Sequence, residues 1–146
     1  MDAIDKKILE CLKNNARMQV SCISKVVNLS IPAVSERIRK LEESGIIEKF
    51  TLSLNRELMN YGLLAFLFVN IERTEHIDEF RKSIAEFNIV LECHHLAGEY
   101  DYLLKVVSKD TKDLEDFISN RLKKIRGVQR TNTIIVLSSV KEEINA

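Results

Sequence analysis

Between Leu29 and Ile47 the chain reads LSIPAVSERIRKLEESGII, a stretch that holds its only proline and a dense alternation of charge. At about 100° per residue, Ile31, Val34, Ile38 and Leu41 share one helical stripe, while Pro32, Ser35, Glu36, Arg39, Lys40 and Glu43 lie on the far side. Arginine can meet guanine with two hydrogen bonds and serine can meet a base or a phosphate, so Ser35, Glu36 and Arg39 suit a major groove. Lys25, Arg37 and Lys40 suit phosphates. Ser30 can cap this helix with Pro32 in its first turn, which sets the outward polar residues within two turns of its start. An amphipathic helix with a solvated charged face would show the same wheel; the position of the polar residues favours the helix-turn-helix reading.

Other reactive residues promise less. His94 and His95 are neighbours in a predicted strand and so face opposite ways, and Cys93 with His95 is more simply packing than a ligand pair. Cys11, Cys22 and Cys93 are an odd set at no metal-like spacing, which argues against a disulfide framework. Four scattered glycines leave no phosphate loop, nucleophile elbow or dinucleotide fingerprint, so no catalytic site, metal or cofactor is expected. GLLAFLFVNI is superficially like the aromatic strand of an RNA-binding sheet, but it comes in the first strand and in net acidic surroundings. An oligomer interface fits Phe66 and Phe68 better.

The chain that must position these residues has 146 of them, with 22 Lys and Arg against 22 Asp and Glu. Residues 1–50 carry nine basic and seven acidic side chains, and the remainder thirteen and fifteen, so the first part alone leans towards a polyanion. The longest apolar run, Leu63 to Val69, is too short to cross a membrane, and the start lacks a signal peptide's basic residues. A cytoplasmic protein with no membrane partner is expected.

Apolar periodicity predicts short helices over Asp5–Asn14 and Val20–Val27 ahead of the quoted one, with Asn28 at a helix end. Gln19 stands where a serine or threonine cap is common, so the second helix starts less firmly. Gly45 stops the third helix, and IIEKFTLSL, Ile46–Leu54, alternates as a strand. After a connector, strand, helix, strand occurs twice: Leu63–Ile71, His76–Phe87 and Ile89–Ala97, then Tyr102–Val107, Asp113–Ile125 and Val128–Val140. That order predicts an α+β chain, a helix-turn-helix (winged-helix-like) domain followed by a ferredoxin-like βαββαβ domain. The expected divisions are 1–50, a hinge strand and linker over 51–62, and 63–146.

Leu63-Leu64-Ala65-Phe66-Leu67-Phe68-Val69 and Ile134-Ile135-Val136-Leu137 are apolar at both parities, so both sheet faces should be buried. Two helices cover one face. A second copy is the simplest cover for the other, although the N-terminal helices folding back would also serve. A dimer doubles the phosphate contacts, so a locally basic helix suffices in a chain of zero net charge.

MDAIDKKILECLKNNAR, LSIPAVSERIRKLEESGIIEKF and LAGEYDYLLKV, in that order, resemble the Lrp/AsnC (feast/famine) family of prokaryotic transcriptional regulators over nearly the whole chain. The resemblance implies a regulator that reads double-stranded DNA through Pro32–Ser44, and a C-terminal domain that dimerises and assembles to tetramers or octamers. It also implies an amino acid or similar effector bound between copies, at the turn Gly98, Glu99, Tyr100, Asp101. There a glycine would let backbone amides approach a carboxylate and Asp101 could pair with an ammonium group. Without the resemblance a tight hairpin is the favoured reading of those four residues. The alternative function is a metabolite-sensing oligomer that acts through a protein partner without reading duplex DNA.

Overall fold

Asp2 opens the first helix in the computed structural model, which describes residues 1–146. Its carboxylate accepts from the Ile4 and Asp5 backbone N–H groups, each at 2.9 Å, and Asp5 accepts in return from the Asp2 N–H at 2.9 Å. This reciprocal box satisfies donors that a helix start leaves orphaned, so α1 spans Ala3–Asn14, two residues earlier than the apolar spacing predicts. Helix α2 spans Val20–Val27; Gln19 makes no side-chain cap bond, and Asn28 ends the helix in the left-handed region at φ 59°. Helix α3 spans Ile31–Glu43, its start capped where the Ser30 hydroxyl accepts from the Ala33 N–H at 3.3 Å. Ile8, Ile23, Val27, Val34 and Leu41 form the seam between these helices. Ile31 departs from the predicted stripe: it stands at the helix's first position, a turn before the buried contacts begin, and is 49% exposed.

The alternation in Ile46–Leu54 predicts a strand, yet the segment belongs to no ladder, and Phe50, Leu52 and Leu54 are exposed. Alternation marks a segment able to pair; a ladder also needs a second strand, and this chain lays none beside it. The backbone divides into two compact units, 1–53 with 143–146 and 54–142.

In the second unit, β1 (Leu63–Ile71), β2 (Val90–His95), β3 (Tyr102–Ser108) and β4 (Val128–Ile135) form one antiparallel sheet in the order β2-β3-β1-β4. Helix α4 (Ile77–Ala85) follows β1, and α5 (Thr111–Asp116) follows β3. Both lie on one face, as the predicted βαββαβ order requires. Their Phe80, Ile84 and Leu114, with Phe117 and Leu122 beyond α5, pack on Ala65, Leu67, Val69, Leu104 and Val106 in a core from which water is excluded. No helix is long and apolar enough to cross a membrane.

Residues opposed across an antiparallel ladder share a face. The face without helices therefore carries Leu64, Phe66, Phe68 and Asn70 of β1, Val107, Lys105 and Leu103 of β3, and Ile134, Asn132 and Arg130 of β4. Within one chain this face is only partly closed: Leu64 and Val107 are buried, Phe66, Phe68 and Leu103 are half-buried, and Ile134 is 50% exposed. Within a single chain the helix side is buried as expected, and the other face keeps apolar side chains open to a further surface. Glu142 lies beside this open face, bound to Lys105 at 3.1 Å and Arg56 at 2.8 Å.

Candidate functional site

Ser30 and Pro32 set the start of α3, and the residues that follow divide by face. Pro32, Ser35, Glu36, Arg39 and Lys40 are exposed on its outer side; Lys25, in the last turn of α2, is exposed and carries no ion pair. Arg39 is not free. Its Nε and Nη2 donate to the two oxygens of Glu36 at 2.9 and 2.6 Å, and Nη1 donates to Glu43 one turn on. Lys40 lies 3.8 Å from the same Glu36 carboxylate. The bidentate bond with Glu36 raises the Arg39 pKa still further and lowers that of Glu36, so both stay charged under any physiological condition.

Arg37 is engaged with α1. Placed beside the buried stripe, its guanidinium turns to α1 and donates to Asp2 at 2.9 Å and Asp5 at 2.7 Å, away from the face where Ser35 and Arg39 stand. It clamps α3 to the start of α1 through Nη1. Both aspartates sit below their ordinary value, first through the backbone bonds of the capping box and then through Arg37. Asp2 and Asp5 escaped the sequence reading, although aspartates three residues apart ahead of an apolar run are a capping signal.

The turn between β2 and β3 holds the other predicted group. The Leu96 N–H donates to Asp101 O at 2.8 Å and closes it. Asp101 is spent largely on architecture: its Oδ2 accepts from the Ile71 N–H at 2.7 Å, and its own N–H donates to Val69 O at 3.1 Å and Asn70 Oδ1 at 3.2 Å. Asp101 thereby ties the turn to the end of β1 through Oδ2. Gly98 has no positive φ, and open space lies where a Cβ would stand, so the turn's own geometry does not demand glycine.

Tyr100 and Glu99 join a cluster on the open sheet face. The Tyr100 ring lies 5.1 Å from that of Phe68, the Arg130 guanidinium sits 4.8 Å above Tyr100, and Arg130 donates to Glu99 at 2.8 Å. That bond chiefly raises the Arg130 pKa. Arg130 and Asn70 are additions that no local sequence signal marks, because register across three strands brings them to the turn. His94 and His95 do face opposite ways, His94 to Glu92 at 3.1 Å and His95 stacked on Tyr102 at 4.9 Å.

Comparison with known proteins matches both units. A winged helix-turn-helix DNA-binding family covers residues 1–48, and the Lrp/AsnC ligand binding domain covers residues 64–145. The chain is 36% identical to the HTH-type transcriptional regulator FL11 of Pyrococcus horikoshii, over 97% of this chain and 93% of that one. Among solved structures, a transcriptional regulator of Neisseria meningitidis in complex with L-methionine superposes with a TM-score of 0.95 at 32% identity, covering 99% of this chain and 94% of the other. A feast or famine regulatory protein of M. tuberculosis complexed with L-methionine gives 0.92 at 26% identity, covering 99% and 97%.

Proposed function

Because this chain belongs to the Lrp/AsnC family of transcriptional regulators, we propose that it is a cytoplasmic regulator that reads duplex DNA with the outer face of α3. The observation that carries this reading is a capped helix presenting Ser35, Glu36, Arg39 and Lys40 together in a winged helix-turn-helix unit. Lys25 supplies a phosphate contact beside them, and Ser30 and Pro32 hold the helix start.

The second unit takes an amino acid or related metabolite near Gly98, Glu99 and Tyr100, with Asp101 as the anchor of the turn. The L-methionine complexes of two structural relatives support this ligand class. The open sheet face, with Phe66, Phe68 and Ile134, joins a second copy into a dimer, and dimers assemble into tetramers or octamers. Pairing aims two α3 helices at two half-sites about 34 Å apart or a multiple of it.

Titration of duplex DNA at two salt concentrations tests the reading. Affinity should fall as salt rises, through counterion release, and Arg39→Ala should weaken the operator complex by about tenfold or more with assembly unchanged in light scattering. A chain that binds the effector but shows no salt-dependent affinity for duplex DNA would end it.

A further inference from the structure

On the reading that α3 enters the major groove, the presence of Glu36 on its outer face needs a physical account. A carboxylate brought among phosphates is repelled unless it accepts a hydrogen bond from a base. The donors on the major-groove floor are the cytosine N4 and adenine N6 amines, and adenine sets its N7 acceptor beside N6, where it opposes the second carboxylate oxygen. Cytosine N4 has no such neighbour on its own base, and glutamate is suited to it.

Arg39 supplies the complement. In the free protein Nε, Nη1 and Nη2 each donate to Glu36 or Glu43, so phosphates of arbitrary DNA must compete with two carboxylates for it. Glu36 and Arg39 are three residues apart, about 4.5 Å along the helix, comparable to the 3.4 Å or so between stacked base pairs. The two side chains therefore reach the same base pair or adjacent ones. We propose that Glu36 is a specificity-determining residue that accepts from a cytosine N4 amine while Arg39, released from it, turns to guanine N7 and O6, so that each half-site carries a G·C pair beneath the first turns of α3.

The carboxylate has two effects under this assignment. It holds Arg39 in reserve against random sequence, and it rewards the one donor that relieves its own desolvation.

The test selects duplexes from a random pool with the full-length protein, then measures affinity for the selected site and for versions with A·T or 7-deazaguanine at the assigned pair. Each change should weaken wild-type binding by about tenfold. Glu36→Ala and Glu36→Gln should bind random duplex several-fold more tightly than wild type and lose most of the preference for the G·C pair. Melting curves confirm that these exposed substitutions leave the fold intact. Selected sites without an invariant G·C pair, or a Glu36→Ala variant with wild-type base preference, would overturn the assignment while duplex reading stands. Equal affinity for all duplexes, or none for any, would overturn duplex reading and the assignment together.

Discussion

One guanidinium, that of Arg37, joins the helix proposed to read DNA to the start of the chain through Asp2 and Asp5. Both carboxylates are held below the ordinary value of 3.8, so the stability they contribute is fully present above that value and is lost as pH falls through their folded values. Asp5→Asn should accordingly lower the thermal midpoint at neutral pH and flatten its decline between about pH 4 and pH 2, as followed by circular dichroism across a pH series. A midpoint unchanged at pH 7 would show that Arg37 clamps nothing. Gly98 offers the reverse kind of test. With open space at its Cβ position and an ordinary backbone, Gly98→Val should fold with an unchanged thermal midpoint, yet it should abolish any shift in DNA affinity or assembly caused by L-methionine or another active amino acid.

At the scale of elements, conformational freedom at two junctions decides the geometry. Asn28 links α2 to the turn before α3 in the left-handed region, where a β-branched side chain is strained by about 1–2 kcal/mol. Asn28→Gly should leave the stability of the unit within about 0.5 kcal/mol of wild type, and Asn28→Val should cost at least about 1 kcal/mol and weaken operator binding, both read from urea melts and DNA titration. Gly127, at φ 90°, enters β4 with the Cβ atom of His76 only 2.4 Å from where its own would stand. Beyond α5 a π turn over Phe117–Arg121 and a short 3-10 turn replace the single regular helix that the spacing predicts. The extra residue in the π turn shifts the helical phase, so Leu122 points inward and the Arg121 guanidinium lies 4.4 Å above the Phe87 ring.

For the whole molecule, the open sheet face sets the proposed assembly. Ile134 lies opposite Phe66 there and remains half-exposed in a single chain. Placing a carboxylate at that position would bury an unpaired charge between two copies. Ile134→Glu should therefore reduce the mass seen by light scattering towards that of one chain while the far-ultraviolet spectrum stays native. The salt dependence of DNA binding should fall to about half, because one reading head then engages at a time. An unchanged mass would place the interface elsewhere.

Much of this design is legible in the residues alone. The three helices, the Ser30 cap, the left-handed Asn28, the β1 boundaries and the order of the βαββαβ unit all follow from local periodicity and backbone preference, which act over a few residues. Partners that lie far apart along the chain do not. That Arg37 faces Asp2 and Asp5, that Asp101 anchors β1, that Arg130 reaches Glu99, and that Ile46–Leu54 finds no strand beside it all depend on which segments the fold brings together. A side chain's type states what it can bond to; the tertiary structure alone decides what stands within reach.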